Sequence, residues 1–144
     1  MNLDYIEDLI EREKINLIDT YLEDTDGAYI NYDKLNTIIY DSSKLETNNE
    51  LKQILSEELG HYYYDATYKF NSDPVFINKQ EYKAKKYAYN ILIPFEKLKL
   101  AIKNGLNNIY SLAEYFDVTI DYMQNAIQFY INKYGDFTKE ALVY

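Results

Sequence analysis

The stretch Leu55-Ser56-Glu57-Glu58-Leu59-Gly60-His61 decides how the rest of the chain is read. It stands one residue away from the helical pattern His-Glu-x-x-His. In that pattern two histidines, four apart, share a helix face and bind zinc, and the glutamate acts as general base. Here Glu57 occupies the place of the first histidine, Glu58 that of the base and His61 that of the second histidine. His61 is the single histidine of the 144-residue chain, so this polypeptide alone cannot build a two-histidine site. Residues i and i+4 of a helix point the same way, which puts Glu57 beside His61, with Glu58 close by. Gly60 costs roughly 1 kcal/mol of helix propensity relative to alanine. A glycine there implies the close approach of a backbone or a ligand.

Working outward, Leu51, Ile54, Leu55, Leu59 and Tyr62 form an apolar stripe, so a helix is expected over about residues 50–64, capped by Asn48 or Asn49. Upstream, Leu3, Ile6, Ile10, Leu17 and Tyr21 suggest an amphipathic helix over 3–23, ended by the turn signal Asp24-Thr25-Asp26-Gly27. Two β-branched and aromatic runs, 28–32 and 36–40, are expected to pair as antiparallel strands. Residues 41–48 and 65–79 read as loops. A third helix is expected from about Lys79 to Leu92, ended by Pro94, then a short helix from Phe95 to Lys103 closed by Gly105. The tail suggests helices around 111–119 and 120–133, with Thr119 as cap and Gly135 as stop. Together these give an α+β chain, mostly helical with a small antiparallel sheet. We expect a single domain over residues 1–144, with the helical pair at about 108–134 packed on it.

Composition narrows the function. The chain is 47% apolar, enough for a core. Eighteen tyrosines, beside six phenylalanines and no tryptophan, let it pack large rings while keeping wet hydroxyls. The formal net charge of −9 disfavours nucleic acid or anionic membrane as partner. With no cysteine there is no disulfide, thiolate nucleophile or Cys-zinc site. The acidic start Met1-Asn2-Leu3-Asp4 lacks the basic and apolar regions of a signal peptide, and no apolar run approaches the ~20 residues that span a bilayer. A cytoplasmic protein is expected.

A catalytic zinc needs a third protein ligand and an open position. Without another histidine or a cysteine, that ligand has to be a carboxylate. Glu81 is the first candidate, since Glu81, Ala84 and Ala88 share a face whose small residues allow close packing on the motif helix. Asp65, four after His61, is the alternative. One histidine with two carboxylates leaves a bound Zn²⁺ formally neutral, a weaker Lewis acid than the usual set, and harder oxygen ligands suit other divalent ions as well.

Ser56-Glu57-Glu58-Leu59-Gly60-His61-Tyr62-Tyr63 resembles the active-site helix of the ImmA/IrrE family of bacterial and phage metallo-endopeptidases, closest to a mobile-element branch carrying Glu-Glu-Leu-Gly-His. Glu81-Tyr82-Lys83-Ala84-Lys85-Lys86-Tyr87-Ala88-Tyr89-Asn90-Ile91-Leu92-Ile93-Pro94 is similar to that family's second helix. The likeness runs from about Gly27 to Gly135. It implies a zincin-like fold, zinc as cofactor and cleavage of a DNA-binding repressor encoded beside the peptidase. It also implies a base role for Glu58 and a metal role for His61, with Glu57 and Glu81 completing the ligands. In the family's common register the third-ligand glutamate falls on Lys83; the carboxylate here stands two residues earlier. The alternative is a relative without catalysis that regulates a partner by binding it.

Two further patterns carry less. Leu112-Ala113-x-x-Phe116-x-Val118-Thr119 followed by a helix resembles a helix-turn-helix, but residues 120–131 hold one charge, Asp121, and no Lys or Arg. A recognition helix needs groups that contact bases and phosphates, so this is read as a structural pair. Lys79, Lys83, Lys85 and Lys86 form a basic cluster, read as a solvated helix face in preference to an acidic docking patch.

Overall fold

The computed structural model describes residues 1–64 and 73–139. In chain order these form α1 (Leu3–Arg12), β1 (Asn16–Asp19), β2 (Gly27–Tyr32), β3 (Leu35–Tyr40), a 3₁₀ turn (Ser42–Lys44), α2 (Asn48–Tyr63), α3 (Pro74–Leu92), α4 (Phe95–Lys103), α5 (Ile109–Phe116) and α6 (Ile120–Tyr134). The α+β class holds. Contacts divide the chain into two compact units, Met1–Ala88 and Tyr89–Tyr144.

The first unit differs from expectation at its start. Residues 3–23 do not form one helix. α1 stops at Arg12, Lys14 turns left-handed (φ 57°), and Ile15 N–H reaches back to Ile10 O at 3.0 Å. The apolar stripe lapses at that point: a helix continuing from Ile10 needs an apolar residue at 13 or 14, and the chain offers Glu13 and Lys14. Residues 16–19 instead add a parallel strand to β3, with Leu17 opposite Ile38 and Ile18 opposite Ile39. β2 and β3 pair antiparallel as expected, from Gly27–Tyr40 to Tyr32–Leu35. The sheet order is β1-β3-β2, so β2 is an edge strand. Their two-residue turn, Asp33-Lys34, has positive φ at both positions (49° and 64°), the primed geometry that matches strand twist.

α2 packs on β2, β3 and α1. It starts earlier than the asparagines suggested. Thr47 is the cap, and its side chain takes the Glu50 N–H while the Glu50 carboxylate returns to the Thr47 N–H, a reciprocal capping box. At the other end, the Tyr62 hydroxyl donates to Glu13 Oε2 at 2.7 Å, tying the end of α2 to the end of α1. Leu55, Leu59, Ile6, Ile10 and Ile38 close the core beneath it.

α3 begins at Pro74, so residues 74–79, expected as loop, are helical. Proline suits a first helical position because its missing N–H would be unsatisfied there anyway. The Asp73 side chain accepts the Val75 N–H at 2.7 Å. The expected loop residues 65–72 lie outside the described residues.

In the second unit, α4 matches its expected bounds and ends before Gly105, where φ is 103°. α5 closes on Asp117 in the left-handed region, and the Thr119 side chain accepts the Tyr122 N–H to start α6. α5 and α6 pack on each other. Tyr130 is buried among them, donating to Ile93 O at 2.7 Å.

Candidate metal centre

The first unit brings α2 and α3 into backbone contact at one place. A Cβ built on Gly60 would stand 2.6 Å from Ala84 O and 2.8 Å from Ala84 Cα. Only glycine permits that approach. Ala84 and Ala88 are fully buried on the facing side of α3, as their small size suggested. The contact sets the neighbouring residues against each other. His61 follows Gly60 on α2, and Glu81 precedes Ala84 by three on α3. His61 Nε2 lies 3.4 Å from Glu81 Oε1.

Glu57 joins them from one turn before His61. Each of the three residues offers a ligand atom within 4.8 Å of the others. The Glu81 carboxylate beside Glu57 disfavours its charge, and a cation between the two would relieve that repulsion. Zinc–ligand bonds of about 2.0–2.2 Å place tetrahedral donors roughly 3.3–3.6 Å apart, so a cluster of this span fits a divalent ion with little movement. The donor set of one imidazole and two carboxylates is a hard one, suited to zinc and to other oxygen-preferring divalent ions.

Glu81 sits seven residues into α3, two turns from its start. It does not begin the helix, and the helix N-terminus falls off too fast to account for it. Lys83, the position given by the family's common register, is about 200° round the helix from Glu81 and lines a different cavity with Tyr64 and Lys79. Asp65 lies outside the described residues.

Glu58 is 9% exposed. Its side chain faces a cavity of about 390 Å³ that it shares with Glu57, His61, Glu81, Asp26 and Tyr29. Burial pushes the Glu58 carboxyl up to about 8; His61 acts against the shift, while Glu57, Glu81 and Asp26 add to it. Burial also raises Glu57, with Lys85 opposing and Glu81 reinforcing. Positive charge beside either carboxyl would oppose that rise. A side chain at Gly27 would meet Ile54 Cγ2 at 2.5 Å, with Glu58 Oε1 3.6 Å away, so this glycine lets β2 lie close over the motif helix.

Asp26, Gly27 and Tyr29 were read from the sequence only as turn and strand. Nothing in their spacing marks them as cleft residues. They reach it because the edge strand crosses above α2, a tertiary fact.

A buried glutamate beside a histidine–carboxylate cluster, carried on two touching helices next to a sheet edge, is a metallopeptidase-like arrangement. The chain belongs to the Peptidase_M78 family, the IrrE N-terminal-like domain, whose model it matches over residues 10–128. This is a family of zinc-dependent peptidases, and a protein substrate follows from it. No curated protein and no solved structure gives a match. No helix among the described residues is long and apolar enough to cross a membrane.

Proposed function

We propose that the chain is a metal-dependent endopeptidase of a phage or mobile element, acting in the bacterial cytoplasm on a DNA-binding repressor or a similar regulatory protein. The observation that carries this reading is the convergence of Glu57, His61 and Glu81 within 4.8 Å beside the buried Glu58. His61 and the two carboxylates would hold a divalent ion, zinc by family membership. When bound, such an ion would supply Lewis-acid activation of water and of the peptide carbonyl. Glu58 accepts the proton of the attacking water and passes it to the leaving amine, as a general base and then acid. Its raised pKa suits that second role.

The whole chain serves as one peptidase domain in this proposal. The cytoplasmic, repressor and mobile-element elements rest on the resemblance of the two helices. The test is direct: purified protein carries about one zinc per chain, His61→Ala loses it, and cleavage of a co-expressed repressor from the neighbouring gene stops in Glu58→Gln. Full zinc loading with no cleavage of that repressor would refute the substrate assignment.

One observation favours a second reading. Glu57 stands where the zinc pattern has its first histidine, which suits a relative that binds a regulator without cutting it. Absence of zinc uptake at neutral pH would select that reading.

A further inference from the structure

The loop between β1 and β2 is fastened with unusual completeness. Asp41 Oδ2 accepts the Leu22 N–H at 2.9 Å, and Asp41 Oδ1 accepts the Ser43 N–H and hydroxyl. The Lys44 ammonium donates to the carbonyls of Leu22 and Thr25, the latter at 2.8 Å. Asp41 N–H donates to Asp26 O at 3.0 Å, which pins the backbone of Asp26 itself. The side chain of Asp26 is exposed and lines the cavity of the metal cluster. Unlike Asp41, it makes no hydrogen bond or ion pair among the described residues.

The charge of the cleft is lopsided. Among the described residues its lining holds Asp26, Glu57, Glu58 and Glu81, with His61 as the one basic group. Lys85 of α3 acts on Glu57 from outside. A divalent ion cancels the two ligating carboxylates, Glu57 and Glu81. Asp26 then faces the substrate with no basic side chain but His61 among the described lining residues. Glu58 is more than nine-tenths buried and lines the same cavity as the exposed Asp26. Glu58 is occupied by the proton transfer proposed above, which leaves Asp26 to read the substrate.

We propose that Asp26 is a specificity-determining residue, which selects peptides with a cationic side chain, Lys or Arg, beside the scissile bond. The inference rests on the metallopeptidase reading of the same cavity. A guanidinium or ammonium entering past β2 meets a carboxylate whose backbone is already held in place, so the pair forms with little loss of freedom on the protein side. A neutral side chain of the same length leaves Asp26 to water.

The experiment needs no turnover. Zinc-loaded full-length protein is titrated with N-acetyl-arginine hydroxamate and with its uncharged isostere, N-acetyl-citrulline hydroxamate. The arginine compound binds about two- to fivefold tighter, the range for an exposed ion pair, and the preference shrinks with added salt. Asp26→Asn abolishes the preference and leaves citrulline binding unchanged; Asp24→Asn, an exposed neighbour in the same loop, keeps it. Circular dichroism of each variant checks the fold. Zinc uptake, measured first on the same preparations, separates the two ideas. Equal binding of both hydroxamates by a zinc-loaded protein, or a preference that survives in Asp26→Asn, overturns the specificity role and leaves the metal site standing. Failure to take up zinc overturns the metal site, and this inference with it.

Discussion

Replacing Gly60 by alanine tests whether the contact between α2 and α3 sets the metal cluster. Two effects oppose each other. Alanine favours the helix by about 1 kcal/mol over glycine. Against this, the new methyl group would stand 2.6 Å from Ala84 O and 2.8 Å from Ala84 Cα. Ordinary contact lies near 3.5 Å, so α3 has to retreat by about 0.8 Å locally. The obstructing atoms are backbone and cannot rotate away. Overpacking of this kind costs about 1–3 kcal/mol, and a backbone obstacle puts the cost in the upper half of that range. The net expectation is a loss of roughly 1–2 kcal/mol, read by urea denaturation in the presence of a chelator. The retreat also moves Glu81 away from His61, now 3.4 Å apart. Zinc affinity, read by competition with a chromogenic chelator, is expected to fall about tenfold, the scale of disturbed ligand orientation. A Gly60→Ala protein that is more stable than the parent by about 1 kcal/mol, with unchanged zinc affinity, would refute the reasoning.

Other expectations follow from the same geometry. Glu81→Gln weakens zinc binding by tenfold or more, whereas Lys83→Gln leaves it intact; the reverse result would restore the family's common register. Stability of the metal-free protein falls as pH rises from about 4.5 through 8, because the Glu58 pKa of about 8 favours the neutral carboxyl in the fold. That fall is smaller in Glu58→Gln, as pH-dependent thermal melts would show. Hydrogen bonding from Ser43 and then Leu22 holds the Asp41 carboxyl below its ordinary range. Its contribution is therefore present above that range and lost as acid protonates it, so Asp41→Asn flattens the low-pH limb of the stability curve. Tyr130→Phe leaves Ile93 O without its buried donor and costs about 1–3 kcal/mol; a change within 0.3 kcal/mol would show that this bond contributes little.

Much of the chain was legible because its local signals agree. The bounds of α4, the Thr119 cap, the pairing of β2 with β3 and the small-residue face of α3 all rest on short-range chemistry that the residues state outright. Gly60 announced a close approach, and its helical setting put Glu57 near His61 before any fold was known. The failures are of another kind. Residues 16–19 follow a helical repeat by spacing, yet pair with β3. Backbone bonds and packing offered by a distant segment outweigh a weak local preference once Glu13 and Lys14 interrupt the stripe. Pro74 read as loop because a proline starts helices as readily as it breaks them, and the flanking residues do not say which.

The chain's residues by themselves determined the chemistry available: one imidazole, no thiol, and an acidic helix face at a spacing that gathers oxygens around it. Which further carboxylate completes that face was a matter of tertiary structure. Glu81 and Lys83 are two residues apart in sequence and on opposite sides of one helix, and only the seating of Ala84 against Gly60 chooses between them. The same holds for Asp26, a turn residue by composition. It faces the cleft because an edge strand crosses the motif helix, and no local pattern encodes which helix a strand will cross.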